Sequence, residues 1–372
     1  VRILLDYRPA LRHRTGVGEY AHELARALVA TTPGPSEELI LFSSSWKDRL
    51  GPTPVPGAVA VDRHWPNQIL NFCWHRLGWP PIEQLAGRDL DVVQGFHPLI
   101  IPSRRAAQLV VVYDLDFLDH PERTVREIRR DYAALAPDHV RRADHVIVIS
   151  QSTARDLQER FGIDASRITV CTPGAPSWAP RTAEPETGCI LFLGTIEPRK
   201  NLGVLLDAYA RVLASRPGTP PLVLAGRASD AGADVIQRAS RPPFAGHVEL
   251  PGYIEPDARE ALYRRALVFV MPSHTEGFGI PVLEAMTAGV PVIVANRGAL
   301  LEVAGPAGLA FDPGNADELA AHLTATVDSR ERRQSMCEAG WQQARRFDWR
   351  VSAQHLRQAW AAATETRRGR RG

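Results

Sequence analysis

Cysteine is scarce in this chain, with four among 372 residues. Cys73, Cys171, Cys189 and Cys337 are scattered, without a CxxC pair or a Cys/His spacing. That excludes a disulfide framework and a structural zinc site, and fits reduced thiols in a cytoplasmic protein. A dominant charge is lacking as well. Lys and Arg number 44 against 42 Asp and Glu, a net charge of +2, so no global electrostatic case exists for a nucleic-acid binder. No uninterrupted apolar stretch reaches the roughly 18 to 20 residues that a membrane span requires. The chain opens on VRILLDYR, without a charged n-region and long h-region, which argues against a signal peptide.

What is present is ordinary globular composition, 44% hydrophobic and 23% charged, at a length that favours two domains. Short runs rich in Val, Ile and Leu alternate with longer amphipathic stretches, the pattern of βα units around a parallel sheet. Strands are expected near Arg2–Leu5, Leu39–Phe42, Ala58–Val61, Asp91–Gln94, Leu109–Val112, His145–Ile149 and Ile168–Val170. A second series is expected at Ile190–Leu193, Leu222–Ala225, His247–Leu250, Leu267–Val270, Pro291–Val294 and Leu309–Phe311. Between them, proline-rich Thr172–Gly188 reads as a linker. The fold class is therefore α/β, two Rossmann-like doubly wound domains with ligands expected outside the carboxyl ends of the strands, in a cleft between them.

The second half carries the chemistry. In ILFLGTIEPRKN a buried strand runs into a loop bearing Arg199 and Lys200. Two fixed cations at the carboxyl end of a strand suit a diphosphate leaving group whose charge grows as its glycosidic bond breaks. Losing one such donor typically costs roughly 3 to 4 kcal/mol. A solvated Arg-Lys pair at a helix start is the bland alternative. In EGFGIPVLEAMTAG, Gly277 and Gly279 let backbone approach a ligand, and the helix start behind them offers N–H groups to phosphate. Pro281 suits the first helical position and Gly289 a stop. Glu284, expected in the first helical turn, can accept both hydroxyls of a ribose. Glu276 can accept hydroxyls of a transferred sugar.

Glu276 and Glu284, with GFGIPVLEAM between, resemble the donor-site signature of glycosyltransferase family 4, of GT-B fold, in its mannosyltransferase-like subgroup. LGTIEPRKNL, PGYIEPDAREALYRRALVFVMPS, NRGALLEVAGPAGLAFDPGNADELA, TGVGEYAHELARAL after Asp6 and Arg8, SQSTARDL and FDWRVSAQHL agree with the family in order and spacing. The resemblance implies an acceptor-side domain over 1–176, a nucleotide-sugar domain over 177–349, and a last helix, about 350–366, packed back on the first. It implies metal-independent transfer of a hexose, with retained configuration, to a glycan or lipid-linked hydroxyl. Arg199 and Lys200 would hold the diphosphate, Glu284 the ribose and Glu276 the sugar, supported by Gly277, Phe278 and Gly279. Backbone of Tyr253 and Ile254 would read the base, and Gly16 and Gly18 would close on the diphosphate. The EPRKN loop leans the donor toward GDP-mannose, with UDP- and ADP-sugars as the other choices. Two departures stand out. Tyr113 occupies the place of a family histidine near the anomeric centre, and as a neutral phenol it is a poor base. His97 and His120 are candidates to replace that role. Glu19 stands where relatives often carry a cation.

The absence of an evident catalytic carboxylate in the first half points to same-face substitution, with the leaving oxygen helping to accept the proton. Two other classes stay open: a glycoside hydrolase using Glu276 and Glu284, and a non-catalytic nucleotide-sugar-binding protein. The arginine-rich stretch of Arg104, Arg105, Arg123, Arg126, Arg129, Arg130, Arg141 and Arg142 suggests peripheral contact with the inner face of a membrane, although Glu122, Glu127, Asp131 and Asp138 interleave with it. The RRGRRG tail reads as disordered.

Overall fold

The computed structural model describes residues 1–11, 16–32, 34, 36–51, 54–123 and 126–370; the side chains of residues 123–130 fall outside that description. The chain divides into two compact units, Val1–Gly174 with Asp348–Gly372, and Ala175–Phe347.

The first unit holds seven parallel strands: β1 (Arg2–Asp6), β2 (Glu38–Ser43), β3 (Val59–Asp62), β4 (Val92–Gln94), β5 (Ala107–Val112), β6 (His145–Val148) and β7 (Ile168–Val170). They lie in the order β3-β2-β1-β4-β5-β6-β7. The second unit holds six: β8 (Cys189–Leu193), β9 (Leu222–Ala225), β10 (Val248–Gly252), β11 (Ala266–Met271), β12 (Val292–Ala295) and β13 (Leu309–Phe311), in the order β10-β9-β8-β11-β12-β13. Every expected strand is found, with ends moved by a residue or two.

The central strands CILFL, LVLA and VIVA are buried at every position, because helices cover both faces of a parallel sheet and each side chain meets one. Edge strand β10 instead alternates between partly buried and exposed residues. In each sheet the winding reverses once, between β1 and β4 and between β8 and β11. There the connecting helices depart to opposite faces and leave a crevice at the carboxyl ends.

The last helix, Trp349–Gly369, belongs to the first unit. Asp348 caps it by accepting from the Arg350 amide at 2.8 Å. Its buried stripe of Ala353, Leu356, Trp360 and Ala363 follows helical spacing. The Trp360 indole donates to Gln94 of β4 at 2.8 Å, and Arg357 pairs with Glu37 at 2.7 Å. One expectation fails here: the basic tail is ordered as far as Arg370. The carboxylate of Asp144 is fully buried and requires compensation, which Arg370 supplies at 3.0 Å and Arg367 at 3.8 Å.

Candidate functional site

The crevice between β8 and β11 collects the second unit's predicted residues. After β8 the chain makes a 3-10 turn, Pro198–Lys200, which ends at Asn201 with φ 53°, a left-handed conformation that asparagine tolerates. The Asn201 amide nitrogen donates to the carbonyls of Pro272 and Pro313 at 3.2 and 2.8 Å, tying the turn to the loop after β11. The His274 amide, bound to the Arg199 carbonyl at 2.9 Å, is a second tie.

Those ties bring Arg199, Lys200 and Glu276 into contact. Lys200 Nζ donates to Glu276 Oε1 at 2.5 Å, and Arg199 Nη1 donates to Oε2 and to the Thr275 carbonyl, each at 3.2 Å. The Ser273 hydroxyl donates to Oε1 at 2.6 Å, and Glu197 accepts from Arg199 Nε at 2.6 Å. Lys200 is buried and the Glu276 side chain is 9% exposed. Burial pushes the Glu276 carboxyl upward. Lys200 and Arg199, with the hydrogen bonds from Lys200 and Ser273, outweigh it and hold the group below the ordinary carboxylate range. Glu276 is therefore ionised at neutral pH, and this two-cation, two-carboxylate cluster is balanced without a ligand.

Behind it, helix Ile280–Thr287 starts at Gly279, whose φ of 107° and close neighbour Leu300, 2.9 Å from any added Cβ, exclude other residues. Gly277 and Phe278 are buried beside it. Pro281 falls at the second helical position and Glu284 in the second turn, not the first, because the helix begins one residue earlier than expected, at Ile280, directly after the left-handed Gly279. Glu284 also does not stand with Glu276. Its carboxylate accepts from Arg259 Nη1 and from the Tyr263 hydroxyl, both at 2.8 Å. Arg259 and Tyr263 sit one turn apart on helix Pro256–Arg265, which follows β10. Burial, reinforced by Glu284, drives the Tyr263 phenol well above its usual pKa, so it stays a donor. Tyr253 and Ile254 lie in the loop between β10 and that helix, with the Arg227 guanidinium 4.7 Å from the centre of the Tyr253 ring.

Sequence reasoning overlooked Glu197, Ser273, Arg259 and Tyr263. The i, i+4 spacing of Arg259 and Tyr263 was visible, but their shared target was not.

In the first unit, Gly16 and Gly18 open helix Val17–Ala30. Gly16 is needed for its φ of 53°. Gly18 is needed because a Cβ there would lie 2.5 Å from the Pro9 carbonyl oxygen, so packing, independent of any ligand, already requires it. Residues 12–15 of this loop lie outside the described residues. Tyr113 follows β5, and its carbonyl accepts from the Thr153 hydroxyl at 3.0 Å. Its own hydroxyl is buried with no partner among the described residues, and burial raises its pKa well above 10. His97 lies 3.6 Å from Asp6, which Arg8 clasps through two nitrogens at 2.8 and 2.6 Å. His120 is half exposed and pairs with Glu122 at 3.2 Å, apart from that group.

Two doubly wound units, one with paired cations and a glycine-opened helix start at its switch point, suit a phosphate-bearing ligand. Comparison with known proteins sharpens this. The model for glycosyl transferases group 1 matches residues 178–343, and that for glycosyltransferase family 4 matches residues 14–176. The chain belongs to glycosyltransferase family 4. It is 28% identical to the O-antigen chain mannosyltransferase B of Escherichia coli over 94% of this chain and 96% of that one. Further curated matches span 53 to 61% of those relatives' length. Among solved structures, sucrose-phosphate synthase of Thermosynechococcus elongatus superposes with a TM-score of 0.77 at 17% identity, covering 97% and 98% of the two chains. HepE of Anabaena, in complex with UDP and glucose, gives 0.67 at 19%, covering 97% and 99%.

Proposed function

We propose that this glycosyltransferase moves a hexose, mannose first among the candidates, from a nucleoside diphosphate to a hydroxyl of a glycan or lipid-linked acceptor, retaining configuration and needing no metal. The observation that carries the reading is the contact of Arg199 and Lys200 with Glu276 at the switch point of the second unit. The two cations serve the diphosphate and the carboxylate serves hydroxyls of the sugar, so one cluster spans both sides of the bond that breaks. Developing charge on the leaving phosphate is met by donors already fixed through Asn201 and Ser273, which favours the transition state over the ground state.

Glu284 holds the ribose, oriented by Arg259 and Tyr263. Backbone at Tyr253 and Ile254 reads the base, and the glycine-opened helix start at Gly277, Phe278 and Gly279 supports the phosphates. Gly16 and Gly18 contribute from the first unit. The Tyr113 hydroxyl, without a partner among the described residues, meets a sugar oxygen. The mannose preference rests on the E. coli relative's name and the EPRKN loop, with GDP-mannose as donor and UDP- and ADP-sugars as the rivals. The protein works in the cytoplasm, in peripheral contact with a membrane.

The hydrolase alternative loses ground because the two carboxylates do not face each other across one bond: Glu276 is held by Lys200 and Arg199, and Glu284 by Arg259 and the Tyr263 hydroxyl. A thermal-shift series with UDP-, GDP- and ADP-sugars, followed by NMR of the anomeric product, tests the proposal. Stabilisation by one nucleotide series and a retained product are expected. Indifference to all three, or an inverted product, overturns it.

A further inference from the structure

Large apolar side chains are exposed in one place in particular. Trp46, Ile69, Phe72, Leu77 and Trp79 are each 50 to 67% exposed and all come from the first unit between β2 and β4. The element that carries them is one helical run, Asn67–Phe72 continuing through the π-turn Cys73–Leu77. Its inner face is satisfied: Leu70 and Trp74 are buried, and the Trp74 indole donates to the Pro80 carbonyl at 3.0 Å. Its outer face is apolar too, through Ile69, Phe72 and Leu77. A helix that is apolar on both faces and covered on one has an unmet face.

Trp79 closes the run through its amide, bound to the Cys73 carbonyl at 3.3 Å. The loop bearing Trp46 is held to the start of the run, where the Ser44 hydroxyl donates to Asn67 at 2.9 Å and the Trp65 amide binds the Ser44 carbonyl at 3.1 Å. Charge follows the same division. Residues 63–82 contain no Asp or Glu, while Arg63 and Arg76 are exposed. Arg76 reaches the buried Asp131 at 3.1 Å, and Asp62 at the border is bound by Arg49 at 2.7 Å.

We propose that this face, from Trp46 to Trp79, is the surface by which the protein lies on a bilayer containing anionic lipid. It deepens the peripheral contact proposed above, on which it rests, and moves that contact away from the arginine-rich stretch. Exposed Trp46 and Trp79 suit the headgroup level, the aliphatic side chains suit the acyl boundary, and exposed Lys47, Arg49, Arg63 and Arg76, set against the half-buried Asp48 and Asp62, suit anionic headgroups. No helix among the described residues is long and apolar enough to cross a membrane, so the contact lies on the surface. The run is also joined to the site region of its own unit. Arg8, which clasps Asp6 at the end of β1, donates to Asn71 at 2.9 Å and lies over the Trp74 ring at 5.0 Å. A lipid-borne hydroxyl held at this face therefore enters beside β1.

The test is co-sedimentation of the full chain with phosphatidylcholine vesicles, with and without phosphatidylglycerol, at low and high salt. The wild type is expected to bind the phosphatidylglycerol vesicles best at low salt. The triple variant Phe72→Ser/Leu77→Ser/Trp79→Ser is expected to lose about tenfold or more, and Leu301→Ser, an exposed leucine of the other unit, to lose nothing. Arg63→Glu, which leaves the apolar face intact, is expected to weaken low-salt binding and covers the case of a triple variant that misfolds. No vesicle binding by the wild type, equal binding by the triple variant, or a wild-type dimer that the triple variant dissolves would overturn the proposal. Nucleotide thermal shifts, run on the same samples, report the sugar-transfer reading separately.

Discussion

Replacing Glu276 by glutamine is expected to loosen the unliganded protein and tighten its hold on a nucleoside diphosphate. The carboxylate is nearly buried, and it balances Lys200 at 2.5 Å and Arg199 at 3.2 Å. Glutamine keeps an acceptor for Ser273 and Lys200 but removes the charge, leaving two cations side by side with only Glu197 to compensate them. Breaking a buried pair from one side costs about 3 kcal/mol. For a unit the size of Ala175–Phe347, that is a fall in its melting temperature of about 6 to 12 °C. The same released cations then meet a diphosphate without a competing carboxylate. A charge-assisted hydrogen bond is worth about 1.5 to 3 kcal/mol, or about ten- to a hundredfold in affinity for UDP or GDP. On the proposed role of Glu276 in holding the sugar at the breaking bond, turnover moves the other way, down by about a hundredfold. Thermal denaturation, calorimetric titration with nucleoside diphosphates, and a transfer assay read the three effects. An unchanged melting temperature together with unchanged diphosphate affinity would refute the electrostatic coupling on which the donor site is built.

Tyr263→Phe removes one of the two groups that hold Glu284, and is expected to raise KM for the nucleotide sugar about tenfold with kcat nearly unchanged, the mark of uniform binding. Steady-state kinetics decide this, and a pure kcat effect would place Glu284 elsewhere in the mechanism. Tyr113→Phe deletes a buried hydroxyl that has no partner among the described residues, so stability by urea titration should hold or rise by up to about 1 kcal/mol while kcat falls; a large loss of stability would contradict the geometry. Burial depresses the histidine pKa at His75 to about 2, and burial with Arg167 nearby depresses that of His145 to about 4. Between pH 7 and 5 the unfolded chain therefore binds protons at these positions and the folded chain does not. Stability falls with pH by about 2 kcal/mol for each residue over that window. Below about pH 4 the His145 contribution stops growing. Urea titrations across the range should show this slope, flatter in His145→Gln.

Much of this protein was legible from residue order alone, because central parallel strands covered on both faces must be continuous apolar runs, as CILFL, LVLA and VIVA are. The cation loop and the glycine-opened helix were equally local, set by neighbours along the chain. Where the reading strayed, the cause was a partner distant in sequence. The basic tail is ordered because Asp144 is buried beneath it. Gly18 is needed because the Pro9 carbonyl abuts it, and Glu284 is occupied because another helix delivers Arg259 and Tyr263. Sequence spacing can state that Glu276 and Glu284 are eight residues apart. Only the packing of loops and helices at the carboxyl edge of the sheet decides that the first neutralises Arg199 and Lys200 and the second pairs with Arg259, since a carboxylate's role depends on the charges within a few ångströms of it, and those come from distant parts of the chain.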